Sequence, residues 1–271
     1  LYAVPVRATI ASGTIKKLDT AAAEKMPGVR LVLHSGNIGK LNRPTARNIL
    51  IDEKRPPLAD NEVRYYGQYV AAVIADTFEQ ATAAADAVKV AYDTKPFNVK
   101  DELEASKWST ESERGDVDKA FTEAPVKVDE TYVTPTETHS VIELHASVVT
   151  YENGVFTLYE PSQAVVNHRQ VAAAVLGEPA DNIRVVARFI GSGFGSKLWP
   201  WPHSFIAAAA ARKLKRPVKL VLTRKMNFES AGHRPITQQH IKLGATTDGK
   251  LVSLSHEYVN HTSLSDDYTE N

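Results

Sequence analysis

Short apolar, β-branched runs recur along the chain between Gly-, Pro- and charge-rich breaks, and stretches with helical spacing lie among them. Val4 to Ile10 and Val29 to His34 read as strands, and Asp19 to Met26, Ala- and Glu-rich and stopped by Pro27-Gly28, reads as a short helix. Val63 to Ala75 is β-rich. Thr77-Phe78-Glu79-Gln80 fits a capping box, so Ala81 to Val88 is expected to continue a helix that gives way to a strand at Val88 to Tyr92. Residues 94 to 124 are rich in charge, Ser and Thr with little periodicity, which suits a surface linker.

From Val126 the pattern changes to longer strands: Val126 to Val133, Leu144 to Tyr151 and Val155 to Tyr159, the last two joined by Asn153-Gly154, a pair that supplies the positive φ of a hairpin turn. Ser162 is placed to cap an Ala/Val-rich helix from Gln163 to Leu176, closed by Gly177 with Pro179 beyond. That places Gln163 in the first helical turn, beside unpaired backbone N–H groups. Ile183 to Ile190 reads as a strand, Ser204 to Leu214 as a closely packed Ala-rich helix, and Val218 to Leu222 as a buried strand. Gln239 to Ala245 and Leu251 to Asn260 form two more strands around Asp248-Gly249. The pattern predicts an α+β chain of two domains, residues 1–96 and 125–271, with a linker over 97–124.

With 271 residues, 43% of them apolar, the chain can bury a substantial core. Lys plus Arg and Asp plus Glu number 32 each, so no net field favours nucleic acid or an anionic membrane. The absence of cysteine excludes disulfides, an iron–sulfur cluster or a thiolate zinc site within these residues. No run approaches the ~18 apolar residues of a membrane span. The start, Leu1-Tyr2-Ala3-Val4-Pro5, has neither an initiator Met nor a secretion signal and reads as the interior of a strand, marking the chain as a fragment whose compartment, cytoplasmic or periplasmic, is open.

The chemistry concentrates at Phe189-Ile190-Gly191-Ser192-Gly193-Phe194-Gly195-Ser196-Lys197-Leu198. Alternate glycines allow positive φ and close backbone approach to a ligand. The dinucleotide fingerprint and the phosphate loop both require glycine at position 196, which is serine here. Phe194 in mid-turn would be costly to expose unless it packs on something. His139, Glu143 and His145 include ordinary metal-ligand types but lack the H-E-x-x-H spacing, so a structural role is expected. No G-x-S-x-G elbow is present. Trp199 and Trp201 read equally as core beneath the loop or as walls of a pocket.

This loop, with Tyr159-Glu160-Pro161-Ser162-Gln163 before it and Ser230-Ala231-Gly232-His233-Arg234-Pro235 after it, resembles the molybdenum-binding subunit of the xanthine dehydrogenase and aldehyde oxidase family. Asp60 to Gln68 and Gly115-Asp116-Val117-Asp118 add weaker matches, so the likeness runs over the whole chain. It implies a partial α/β hammerhead domain followed by the first part of a mixed α/β molybdopterin-binding domain. It also implies a hydroxylase that oxidises aldehydes or aromatic heterocycles with oxygen from water. The cofactor implied is molybdenum–molybdopterin in its cytosine dinucleotide form, with FAD and [2Fe–2S] centres on partner subunits or domains and a possible dimer of the complex.

By motif position, Gln163 is expected to hydrogen-bond a molybdenum oxo group, Phe194 to lie by the metal, and Ser192, Gly193 and Gly195 to line the pterin or its dinucleotide tail. Molybdenum is held by the pterin, so no residue here is expected to ligate it directly. The catalytic glutamate falls beyond Asn271, and these residues alone are expected to be inactive. Leu198 and Trp199 are expected at the substrate pocket. Purine-hydroxylating members carry glutamate directly after the loop lysine, where this chain has Leu198, which points to an apolar or aromatic aldehyde. A module of the same fold that binds cofactor or assists assembly without catalysis is the alternative.

Overall fold

The computed structural model describes residues 1–45, 49–98, 103, 110 and 112–261. In chain order the elements are β1 (Tyr2–Arg7), β2 (Gly13–Asp19), α1 (Ala21–Glu24), β3 (Val29–Leu33), β4 (Glu62–Val63), β5 (Tyr69–Ala75), α2 (Phe78–Ala87) and β6 (Lys89–Thr94). They continue with α3 (Val117–Glu123), β7 (Val126–Thr134), β8 (Ala146–Glu152), β9 (Val155–Tyr159), α4 (Val165–Leu176) and β10 (Ile183–Val186). The last are α5 (Pro202–Leu214), β11 (Val218–Val221), α6 (Arg224–Ser230), β12 (Thr237–Ala245) and β13 (Leu251–Asn260). The chain packs into two compact units, residues 1–98 with 139–232 and residues 99–138 with 233–271.

In the first unit seven strands form one mixed sheet in the order β10-β9-β8-β11-β1-β5-β3. The sheet therefore spans both sequence segments, joined where β1 runs parallel to β11 with Tyr2 opposite Lys219 and Ala3 opposite Leu220. β5 shows why the sheet is stable. All seven of its residues are buried: Ala72 and Ile74 belong to the core that holds α5, while Val73 faces a second core with Ala84 and Ala85 of α2. A strand covered on both faces is apolar throughout, and each fully buried Val or Ile contributes about 1.5–3 kcal/mol. In α5 every residue from Pro202 to Ala211 is buried, and its five consecutive alanines let the helix lie close to its neighbours on every side.

Local signals set the ends of elements. Thr77 Oγ1 accepts from the Gln80 N–H while Gln80 Oε1 accepts from the Thr77 N–H, the full capping box expected at α2. Gly177 closes α4 in the left-handed conformation, and Asn153 and Gly154 both take positive φ in the β8–β9 hairpin. A third, small sheet, β4-β2-β6, completes the unit.

The second unit is a three-stranded antiparallel sheet, β13-β12-β7, with α3 on one face. Gly244 lets α3 approach, since a Cβ there would lie 2.9 Å from that of Ala124. Asp116 caps α3 by accepting from the Lys119 N–H at 3.0 Å. This helix occupies part of the stretch expected to be linker; residues 99–102, 104–109 and 111 of that stretch lie outside the described residues.

Three expectations change. The helix expected over 19–26 is the single turn α1. β10 ends at Val186, whose carbonyl accepts the Glu160 N–H, and the chain beyond it to Ile190 is irregular. Gln163 lies outside α4, which begins at Val165 with Ala164 as its N-cap. The reason is a long-range bond: the Gln163 N–H donates to the Lys197 carbonyl at 2.8 Å, and Ser162 Oγ accepts from the Ala164 N–H instead of capping a helix turn.

Candidate functional site

The glycine loop follows β10 and leads to α5, and side chains from four directions brace it within the first unit. At its start the Glu143 carboxylate accepts from the Ser192 N–H at 2.7 Å and from the Ser192 hydroxyl at 2.8 Å, both at Oε2. The same hydroxyl accepts from the Ile142 N–H at 3.0 Å. At its end Gln163 Oε1 accepts from the N–H groups of Gly195 and Lys197, at 3.1 and 3.2 Å. The buried Lys197 ammonium turns inward and donates to the carbonyls of Ile190 and Glu143, at 2.8 and 3.2 Å. It is a brace between two segments of the chain.

Beneath the loop the Ser196 carbonyl lies 2.6 Å from Trp201 Nε1–H, which donates to it, and 2.9 Å from His145 Nε2. Burial lowers the His145 pKa, so the ring is neutral and its Nδ1 sits 2.6 Å from the Asn227 side-chain amide. His145 meets the His203 ring edge-on at 5.9 Å. His203 is wholly buried and held to about 3 by that burial. Beside it lies a buried pair, His168 Nε2 and Glu160 Oε2 at 2.6 Å, with Ser204 Oγ donating to the same carboxylate at 2.9 Å. Burial alone would raise the Glu160 carboxyl, yet the charge of His168 and its hydrogen bond bring it down to about 2.

Between those braces Phe194 faces outward. Phe194 adopts φ +53 and is 73% exposed. A bulky residue in the left-handed region costs about 1–2 kcal/mol, and here the apolar ring gains no burial in return. The N–H groups of Gly193 and Phe194 take no partner among the described residues. Gln163 spends its carbonyl oxygen on the loop, which leaves its amide N–H donors on an exposed side chain. The glycines are fitted to these neighbours: a Cβ on Gly191 would lie 2.3 Å from the Glu143 carboxyl, and one on Gly193 would lie 2.4 Å from Gln163 Oε1. Gly195, at φ +98, has only the His139 ring within 4 Å of that position.

This donor set suits an anionic, oxygen-rich cofactor bearing a flat ring, since the exposed Gln163 amide, two unpartnered backbone N–H groups and an exposed aromatic ring belong to one short stretch of surface. Ser192, Gly193, Phe194 and Gly195 are consecutive, and the Gln163 side chain reaches them through the Gly195 N–H. The Ser192 hydroxyl is already committed to Glu143 and Ile142. Trp199 and Trp201 are both buried, 6.0 Å apart edge to face, in a cluster with Ala231 against which half-buried Leu198 packs. Among the described residues no three His, Cys, Asp or Glu side chains are grouped to hold a metal ion, and no helix is long and apolar enough to cross a membrane. Sequence reading missed the Glu160, His168 and His203 network. Its one signal is polar residues on otherwise apolar helix faces: His168 at helical spacing from Val171, Ala172 and Val175, and His203-Ser204 heading an Ala run.

Comparison with known proteins places this geometry. Residues 99–271 match the molybdopterin cofactor-binding domain, and residues 1–96 match the aldehyde oxidase and xanthine dehydrogenase a/b hammerhead domain. The chain is 37% identical over 262 residues to the aldehyde oxidoreductase molybdenum-binding subunit PaoC of Escherichia coli strain K12, covering 94% of this chain and 35% of that one. It is 32% identical over 275 residues to the nicotinate dehydrogenase large molybdopterin subunit of Eubacterium barkeri, covering 97% and 64%. Among solved structures, the aldehyde oxidoreductase of Desulfovibrio gigas superposes with a TM-score of 0.79 at 27% identity, over 96% of this chain and 31% of that one. CO dehydrogenase of Oligotropha carboxidovorans superposes with 0.78 at 26% identity, over 95% and 35%. The chain spans about a third of the length of PaoC and of these two structures. It belongs to the aldehyde oxidase and xanthine dehydrogenase family, with a hammerhead domain and a molybdopterin-binding domain.

Proposed function

We propose that this chain is part of the molybdenum-binding subunit of a hydroxylase that oxidises aldehydes, or aromatic heterocycles, with oxygen taken from water. The observation that supports it best is Phe194, exposed and held at positive φ with its N–H unpartnered among the described residues, on a loop braced at Ser192, Gly195 and Lys197. In this reading the Gln163 amide N–H and the N–H groups of Gly193 and Phe194 hold the oxygens of the cofactor, and Gly195 and Ser192 line its path. Molybdenum–molybdopterin, in its cytosine dinucleotide form, would supply the oxygen-transfer and two-electron redox chemistry when bound there. FAD and [2Fe–2S] centres on partner subunits would serve electron transfer, and the general base would come from chain outside residues 1–271. The division into modules 1–96 and 125–271 around a 97–124 connection goes with this reading.

The chain's own residues supply orientation. Leu198, with Trp199 behind it, gives the substrate side an apolar wall. A purine edge left unpaired there would cost about 1–3 kcal/mol, so benzaldehyde-like substrates should exceed xanthine in kcat/KM by about tenfold or more. Molybdenum and pterin analysis of the full-length protein purified with its partners, followed by dye-linked turnover of both substrates, tests the proposal. Efficient xanthine oxidation would overturn the substrate class. Bound cofactor without turnover would leave a cofactor-binding or assembly module.

A further inference from the structure

We infer that Glu143 is a positioning residue: its carboxylate sets the start of the glycine loop so that Gly193 and Phe194 turn their N–H groups toward the cofactor. This rests on the proposed role of that loop. The side chain of Glu143 accepts both hydrogens that Ser192 can donate, at one oxygen, while the Glu143 main-chain carbonyl accepts from the Lys197 ammonium. One residue therefore ties both ends of a six-position loop, Ser192 through its carboxylate and Lys197 through its backbone.

The Glu143 carboxyl fills the space where a Cβ of residue 191 would stand, 2.3 Å away, so glycine at 191 and glutamate at 143 select one another. The segment carrying Glu143 is itself held, because the Arg224 guanidinium donates to the carbonyls of Val141 and Ile142. A carboxylate is acceptor-only, so it fits a place where an N–H and an O–H converge, and its charge shortens and strengthens both bonds. Those same bonds hold its pKa below the ordinary carboxylate range, which keeps it ionised. Glutamine at 143 could still accept both hydrogens, without the charge.

Two readouts on the full-length chain test this. In protein produced without molybdate, hydrogen exchange is followed at the Gly195 and Lys197 amides, which bond Gln163 and not Glu143. In the complex with partners, molybdenum and pterin are counted per chain. Glu143→Ala should speed exchange at both amides by about tenfold and lower cofactor occupancy by a similar factor, with Glu143→Gln between it and the wild type. Wild-type exchange in Glu143→Ala overturns the inference, as does faster exchange with full occupancy. If Glu143→Ala fails to fold, Glu143→Gln and Ser192→Ala carry the same two readouts. A wild-type complex that binds no molybdenum or pterin sinks the proposed function instead, and the exchange result then still decides whether Glu143 orders the loop.

Discussion

The β8–β9 hairpin and the glycine loop both use left-handed backbone, and they do so for different ends. In the β8–β9 hairpin the positive φ values fall on Asn153 and Gly154, residue types that tolerate them, and nothing stands within 4 Å of where a Gly154 Cβ would be. In the glycine loop they fall on Gly191, Phe194 and Gly195, with Glu143 and Gln163 pressed against the glycines and an aromatic residue in the conformation it likes least. A turn that only reverses the chain selects residues at ease in it. The glycine loop, proposed to present backbone to a cofactor, retains a strained residue and has its neighbours placed to hold it.

The loop stands on a buried polar network of Glu160, His168, Ser204, His203 and His145. Glu160→Ala should therefore be the largest effect, about 3–5 kcal/mol lost in chemical denaturation, because it strips a buried imidazole and hydroxyl of their acceptor. Acid should act on the same floor. Glu160 titrates at about 2 when folded against an ordinary 4.5, so the stability from its pair is complete above pH 4.5 and is lost as the pH falls toward 2. His203 is held to about 3 against an ordinary 6.5, so the unfolded chain takes up a proton that the folded chain refuses. That stability also declines as the pH falls, beginning near 6.5. Denaturation curves across this range should show Glu160→Gln flattening the acid limb; an unchanged limb would mean the pair does not support the fold.

Next in size is a matched pair of glycine substitutions. Gly191→Ala places a methyl against the Glu143 carboxyl and should cost about 2–3 kcal/mol together with most of the bound cofactor. Gly154→Ala meets open space and should cost about 1 kcal/mol, from its φ alone, with cofactor unchanged. Equal losses for the two would erase the distinction between the turns.

Much of the hairpin side was legible in the sequence, because its determinants are local. Asn153-Gly154, the Thr77 and Gln80 capping box and Gly177 at the end of α4 each act within four residues of the backbone they set. The loop was legible only as a run of glycines and by its resemblance. What braces it comes from far away in sequence: Glu143 is 49 residues from Ser192, Gln163 is 32 from Gly195, and His145 is 51 from Ser196. The misplacement of Gln163 in a helical turn has the same origin, since its N–H answers to the Lys197 carbonyl.

The most direct test exchanges the two residues that carry the contrast. Phe194→Asn should relieve left-handed strain and stabilise the cofactor-free chain by about 1 kcal/mol, while Asn153→Phe should destabilise it by a similar amount. The deciding measurement is molybdenum and pterin per chain in the full-length complex of each variant. The account predicts occupancy down by about tenfold in Phe194→Asn and unchanged in Asn153→Phe. Full occupancy in Phe194→Asn would contradict the claim that the strained edge of this loop exists to meet the cofactor.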